Sequence, residues 1–92
     1  MKKQFNDMVI VDDLNLRNQI IKTISSIAGI DGKKFNENTL IREELGIDSL
    51  MTIEIIAKIE KYYNIQINEE DIIDIDNVGG FINFIETIIA DK

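Results

Sequence analysis

The sequence contains no cysteine, histidine, proline or tryptophan. Without cysteine the chain has no disulfide, no thiolate zinc site and no cysteine nucleophile, and without histidine it has no serine–histidine triad. The 10 basic residues are outnumbered by 17 acidic ones, which gives a net charge of −7. This balance argues against binding a nucleic-acid backbone and favours partners with basic surfaces.

Long apolar runs are also missing. The run at residues 8–11 is closed by Asp12 and Asp13 and is too short for a signal peptide, and no other run has membrane length. We therefore expect a cytoplasmic chain with no membrane partner. The 92 residues are 45% hydrophobic, which is enough for one small folded domain. We assign residues 1–13 to a flexible N-terminal leader and residues 14–92 to a helical domain.

Apolar residues repeat with a helical period in three segments, at about residues 14–28, 49–63 and 78–89. A short helix is expected from Asn68, where a capping residue precedes acidic residues and then isoleucines. Residues 30–48 form a long loop between helices one and two, with a short helical turn expected near residues 39–44. The order predicts an all-α fold, a small four-helix bundle of three longer helices and one short helix.

Helix ends carry capping signals. Asp12 or Asp13 is placed to begin the first helix, and Gly29 to end it in a left-handed conformation. Asp76 or Asn77 is placed to cap the last helix. Its first turn holds two glycines, which we expect to allow close packing against the short helix, with local looseness as the alternative. The long loop is expected to send apolar side chains into the core, namely Phe35, Leu40, Ile41, Leu45 and Ile47.

The second helix carries two apolar surfaces when its residues are spaced by 100°. The core stripe is expected to contain Thr52, Ile55, Ile56, Ile59 and Tyr63, flanked by Met51 and Tyr62. Leu50, Ile53 and Ala57 lie on a different arc beside Ser49 and are expected to be partly exposed. Three apolar residues beside one candidate site indicate a docking surface, although packing under a neighbouring helix stays open.

Ser49 is the candidate site because of its position at a helix start. Asp48 is a favourable N-cap, since its carboxylate can accept the free N–H groups that open a helix. Ser49 then falls in the first turn, near the positive end of the helix dipole, where an anionic group is stabilised. The local pattern suggests a serine that carries a phosphate ester.

The stretch Leu45-Gly46-Ile47-Asp48-Ser49-Leu50 resembles the attachment motif of the acyl carrier and peptidyl carrier proteins. The resemblance covers about residues 14–90. It implies a non-catalytic carrier: a separate phosphopantetheinyl transferase attaches the 4′-phosphopantetheine of coenzyme A to Ser49 through a phosphodiester. The thiol of that arm would hold acyl or aminoacyl groups as thioesters, which fits a chain without cysteine. Asp48 is implied in recognition by the transferase, and no protein-bound metal is expected.

The resemblance also implies that the second helix is the partner-binding surface. The matching positions are Leu50, Met51, Ile53, Glu54, Ala57 and Glu60. This helix departs from the densely acidic pattern of fatty-acid carriers, because Lys58 and Lys61 balance its two glutamates. The expected partners of the monomeric carrier are the transferase and acyl-loading, condensing or tailoring enzymes with basic or apolar docking surfaces.

Several alternatives stay open at this stage. The cargo could belong to fatty-acid, polyketide or related biosynthesis, or the chain could be a peptidyl or aminoacyl carrier of a specialised pathway. A carrier fold used as an unmodified interaction subunit is a further alternative. The sequence does not decide whether cargo shelters in the core, or whether the acidic stretch at residues 68–76 binds cations loosely.

Overall fold

The computed structural model describes residues 13–91. The predicted leader over residues 1–13 and the predicted cap at Asp12 lie outside the described residues, except for Asp13, where the first helix begins. Within residues 13–91, three α-helices follow one another: α1 (Asp13–Ala28), α2 (Ser49–Tyr63) and α3 (Val78–Ala90). The all-α prediction is confirmed for the described part of the chain.

The expected fourth helix is not an α-helix. A single 3₁₀ turn covers Glu69–Asp71, and the side chain of Asn68 makes no capping hydrogen bond. Acids in a first turn favour a helix start, but distant groups hold the chain beyond this turn, because the Ile73 and Ile75 carbonyls accept hydrogen bonds from Arg42. The following isoleucines do not form a buried stripe, because Ile72 is buried but Ile73 is 63% exposed. The exact count of four helices is therefore not confirmed: residues 13–91 contain three α-helices and two 3₁₀ turns, Gly32–Lys34 and Glu69–Asp71.

Most predicted helix boundaries agree with the structure. Gly29 has a φ of 73°, in the left-handed region, at the end of α1. At the start of α3, the Asn77 side chain accepts a hydrogen bond from the Gly80 N–H at 2.7 Å. Asn64, with a φ of 56°, ends α2 in a left-handed cap that the sequence reading did not identify.

The role expected of the glycines in α3 is correct for one and wrong for the other. A Cβ on Gly80 would lie 3.3 Å from Ile75, at the end of the short segment. A Cβ on Gly79 would instead lie 3.1 Å from both Cβ and O of Glu37. Gly79 therefore permits close approach of the long loop to α3.

The core is built from the predicted stripes of all three helices. Within the described residues, fifteen apolar side chains are buried: Leu16, Ile20, Ile24, Phe35, Leu45, Ile47, Ile55, Ile56, Ile59, Ile67, Ile72, Val78, Phe81, Ile82 and Ile85. Full burial of such a side chain contributes roughly 1.5–3 kcal/mol. Three of the five loop residues expected in the core are buried. Ile41 is partly buried and packs against the core, and Leu40 is only half-buried.

Backbone hydrogen bonds join the long loop to the start of α3. The Val78 N–H donates to the Thr39 carbonyl at 3.0 Å, and the Gly79 N–H donates to the Glu37 carbonyl at 2.8 Å. An ion pair between Arg17 and Glu37 links the same loop to α1. The long loop is therefore attached to both α3 and α1, and these contacts fix the direction from which the chain enters α2.

Candidate functional site

The approach to Ser49 is a tight turn that ends the long loop. The N–H groups of Glu44 and Leu45 donate to the Leu40 carbonyl at 3.1 and 3.2 Å, which confirms the predicted helical turn. Gly46 follows with a φ of 67°, a conformation that glycine adopts without steric cost. Ile47 is 3% exposed and so anchors the chain immediately before the site.

Asp48 caps α2 as predicted. Its Oδ1 accepts a hydrogen bond from the Met51 N–H at 2.8 Å. Its carbonyl oxygen accepts from both the N–H and the hydroxyl of Thr52, each at 2.9 Å. The cap therefore fixes the orientation of the first turn, while the Asp48 side chain remains exposed and keeps its negative charge accessible.

Ser49 is the first residue of α2 and is exposed. The first N–H groups of an α-helix have no acceptor inside the helix, and they carry the positive end of its dipole. A phosphate ester on the Ser49 oxygen would meet this favourable field and would not require any buried group to move. The geometry fits the phosphodiester that the sequence motif implies.

The apolar surface beside Ser49 is open to solvent. Leu50 is 69% exposed, Ile53 is 47% exposed, and Ala57 is also exposed. No helix of the described chain covers them, so packing under a neighbour does not account for this surface. Glu54 is exposed as well.

Three predicted positions on α2 differ from this exposed pattern or from the expected core. Met51 is partly buried and packs against the core. Glu60 was expected at the surface but is partly buried, and its Oε2 accepts a hydrogen bond from the Ile67 N–H at 2.8 Å. Tyr62, expected to flank the core stripe, is 60% exposed. A helical wheel could not show the burial of Glu60, because it results from the chain after α2, whose Ile67 folds back onto it.

A cavity of about 270 Å³ lies directly behind Ser49. Its wall is mostly isoleucine, and it reaches from Ser49 to residues of α1, α3 and the 3₁₀ segment. The lining residues are Ile24, Ile41, Arg42, Ile47, Asp48, Ser49, Thr52, Ile53, Ile55, Ile56, Glu69, Ile72, Ile73, Ile75 and Phe81. An engineered apolar cavity of about 150 Å³ can bind benzene, so this space is large enough for a short hydrocarbon chain.

Arg42 is a residue of this site that the sequence reading missed. Its Nη2 donates to the carbonyl oxygens of Ile73 and Ile75 at 3.1 and 3.4 Å. The same nitrogen lies 3.7 Å from Oδ1 of Asp76. Its partners follow it by 31 and 33 residues, so no local pattern could have identified the contact. Arg42 joins the loop before Ser49 to the segment that closes the cavity.

No group of three or more acidic side chains in residues 13–91 could hold a metal ion, which gives no support to a cation site at residues 68–76. Within the same residues, no helix is long and apolar enough to cross a membrane.

These features define a small acidic helical domain that presents one capped serine at the mouth of an apolar cavity. Residues 18–85 match the family described as "Phosphopantetheine attachment site". The chain is 31% identical over 83 residues to the acyl carrier protein of Rickettsia bellii (strain RML369-C), covering 90% of this chain and 94% of that protein. It is 32% identical over 74 residues to the acyl carrier protein of Chlamydia caviae, covering 80% and 96%. It is 33% identical over 70 residues to that of Chloroherpeton thalassium, covering 76% and 88%.

The chain belongs to the phosphopantetheine-attachment family of acyl carrier proteins. It is accordingly a carrier and not a catalyst, and its cofactor is phosphopantetheine. The resemblance drawn from Leu45-Gly46-Ile47-Asp48-Ser49-Leu50 is confirmed at the level of the family.

Proposed function

We propose that Ser49 is the attachment residue and that the protein carries acyl groups as thioesters for enzymes of fatty-acid or related biosynthesis. The observation that carries this proposal is the position of Ser49, exposed at the capped start of α2 and at the mouth of the apolar cavity. The bound phosphopantetheine would supply the thiol that holds the acyl group.

Attachment requires little chemistry from the chain itself. The Ser49 oxygen would form a bond to the phosphorus that bears the pantetheine arm, while the phosphoanhydride bond of coenzyme A breaks and adenosine 3′,5′-bisphosphate leaves. The hydroxyl proton must pass to a base on the transferase, because the sequence has no histidine and no described interaction joins a base to Ser49. The contribution of this chain is presentation: Gly46 and the Asp48 cap hold the serine outward.

The exposed apolar residues support a docking role for α2. Leu50 and Ile53 stand beside Ser49, so an enzyme that reaches the arm must approach them. Burial of such side chains in a complex is favourable by about 25 cal/mol per Å² of apolar surface before the costs of association. Because α2 is nearly neutral, apolar contact contributes more to docking here than on a densely acidic helix. This feature favours a dedicated pathway, including polyketide or peptide synthesis, as the second candidate.

The cavity supports shelter for short cargo. Its lining presents methyl and methylene groups, which match an acyl chain, and its mouth includes Ser49 itself. An acyl group that enters would leave water without requiring new polar contacts.

Loading can be tested by mass spectrometry. The purified protein is incubated with coenzyme A and a promiscuous phosphopantetheinyl transferase, and we expect a mass gain of one phosphopantetheine. The Ser49→Ala variant should show none, while Ser26→Ala, which alters another exposed serine, should be loaded at the normal rate. No gain in the wild type, or a gain that persists in Ser49→Ala, would refute the assignment.

A further inference from the structure

A basic groove lies on the opposite end of α2 from Ser49, between α1 and α2. We call the residues that line it the lysine groove: Gln19, Lys22, Thr23, Ser26, Lys58, Lys61 and Tyr62. Three of these are lysines, and no carboxylate is among them. The groove is therefore locally positive, although the net charge of the chain is −7.

The charges of the groove are not neutralised within the described chain. The ion pairs in residues 13–91 are Arg17 with Glu37 and Arg42 with Asp76, and neither involves these lysines. Lys22, Lys58 and Lys61 are all exposed. Three like charges around one groove repel each other unless an outside anion compensates them. The groove is therefore electrostatically complementary to clustered carboxylates.

The groove also continues the surface that begins at Ser49. Ser49, Ile53, Ala57 and Lys61 are successive members of one i, i+4 row on α2. The adjacent row runs through Leu50, Glu54, Lys58 and Tyr62. With a rise of 1.5 Å per residue, Lys61 lies roughly 18 Å along the helix axis from Ser49. A partner that docks along this face would meet apolar residues first and lysines at the far end.

We propose that the lysine groove is a second docking element for partner proteins, and that it binds a surface segment rich in Asp and Glu. The proposal rests on the carrier function assigned above. Tyr62, 60% exposed at the edge of the groove, adds an amphipathic ring of the kind enriched at protein interfaces. A nucleic acid is a poorer occupant, because its extended phosphate backbone would also meet the net negative charge of the chain.

The docking faces of the partner enzymes are therefore expected to differ from those of enzymes that bind only carriers with an acidic helix. A partner's docking face would combine an apolar patch near the active-site entrance with carboxylates about 18 Å away. Such charge complementarity would fix the register of the complex and exclude enzymes with basic surfaces at that position.

The test uses the full chain, labelled with ¹⁵N, and a hexaglutamate peptide as the probe. We expect saturable amide shift changes at the lysine groove at low salt, with dissociation constants in the millimolar range. These changes should weaken strongly at about 1 M salt, where the Debye length falls to about 3 Å. A hexaglutamine peptide should produce no such shifts.

Matched variants separate the groove from general charge. The variant Lys22→Gln/Lys58→Gln/Lys61→Gln should bind hexaglutamate about tenfold more weakly. The variant Lys33→Gln/Lys34→Gln, which removes two exposed lysines elsewhere, should change binding less than about twofold. Helix content by circular dichroism verifies that both variants are folded.

Three outcomes overturn the proposal: no saturable shift, an equal loss in both variants, or tighter binding of a hexathymidylate oligonucleotide than of hexaglutamate. Loading of Ser49 is followed separately, by the mass of the wild-type chain in a reaction without the peptide. A chain that binds the peptide but gains no mass would contradict the carrier assignment, whereas a chain that is loaded but does not bind the peptide would contradict only the groove.

Discussion

Asp48 combines a hydrogen bond and a negative charge at the residue before Ser49. Its Oδ1 caps α2 through the Met51 N–H at 2.8 Å. Asparagine caps a helix about as well as aspartate, whereas alanine at this position costs about 1 kcal/mol of stability. The two contributions can therefore be separated by substitution.

We predict that Asp48→Asn leaves the free energy of unfolding almost unchanged, while Asp48→Ala lowers it by about 1 kcal/mol. If the transferase reads the charge, both variants should be loaded at least about tenfold more slowly, a loss of about 1.4 kcal/mol in the transition state. Urea unfolding measures the first effect and the rate of mass gain the second. Loading of Asp48→Asn at the wild-type rate would show that only the cap matters.

Tyr63 gives the fold a pH dependence in the alkaline range. Its ring centroid lies 4.8 Å from that of Tyr62. Burial, and to a smaller extent the neighbouring Tyr62, raises the pKa of Tyr63 from 10.0 to about 12. The unfolded chain therefore loses this proton at lower pH than the folded chain, so stability is complete below pH 10.0 and falls as the pH rises towards 12.

The substitution Tyr62→Phe tests this directly, because the sequence has two tyrosines and Tyr63 then titrates alone. We predict a tyrosinate absorbance midpoint that stays above 10.0, since burial is the leading cause of the shift. Circular dichroism at the same pH values must show that the helices persist. A midpoint at 10.0 or below in the folded variant would contradict the prediction.

At the scale of elements, the three helices and the capped serine could be predicted because their signals are local. The stripe of α1 and the Asp48 cap each depend on residues a few positions apart. The segment at residues 68–76 is predicted as a short helix but contains only the 3₁₀ turn Glu69–Asp71, since its geometry depends on distant groups. The Ile73 and Ile75 carbonyls accept from Arg42, and the Asp76 carbonyl accepts from the Ile41 N–H at 2.8 Å.

Arg42 is expected to control the opening of this segment. The segment has few backbone hydrogen bonds of its own, so its local stability should be low and sensitive to each contact. We predict that Arg42→Gln accelerates amide exchange of residues 72–75 by about threefold to tenfold, in keeping with a net hydrogen-bond contribution of about 0.5–1.5 kcal/mol. Exchange in the middle of α1 should not change, and Lys33→Gln is a control for the lost charge. Equal acceleration of amide exchange in α1 would mean that the substitution weakens the whole fold and that Arg42 does not stabilise residues 72–75 specifically.

At the scale of the whole molecule, the two sides of α2 differ: one side lines the cavity and the other is exposed. The inner side contributes Ile55 and Ile56 to the cavity wall, and the outer side exposes Leu50 to solvent. Ile53 belongs to both, because it lines the cavity and is 47% exposed. Ser49 lies where the two sides meet. An acyl group on the arm could therefore lie either in the cavity or in a partner enzyme. The fraction in the cavity should depend on how well the cavity accommodates the group.

We predict that acylation stabilises the protein in proportion to chain length until the cavity is filled. Four-, six- and eight-carbon acyl forms should each raise the free energy of unfolding above that of the thiol form, by at most about 0.8 kcal/mol per buried methylene. Ile72→Phe, which adds volume in the cavity wall, should abolish this increment, whereas Ile65→Phe, outside the wall, should retain it. Each increment is measured against the thiol form of the same variant, so the cost of overpacking cancels. Acyl forms no more stable than the thiol form would mean that cargo stays outside the core, and the cavity would then have no part in carrying it.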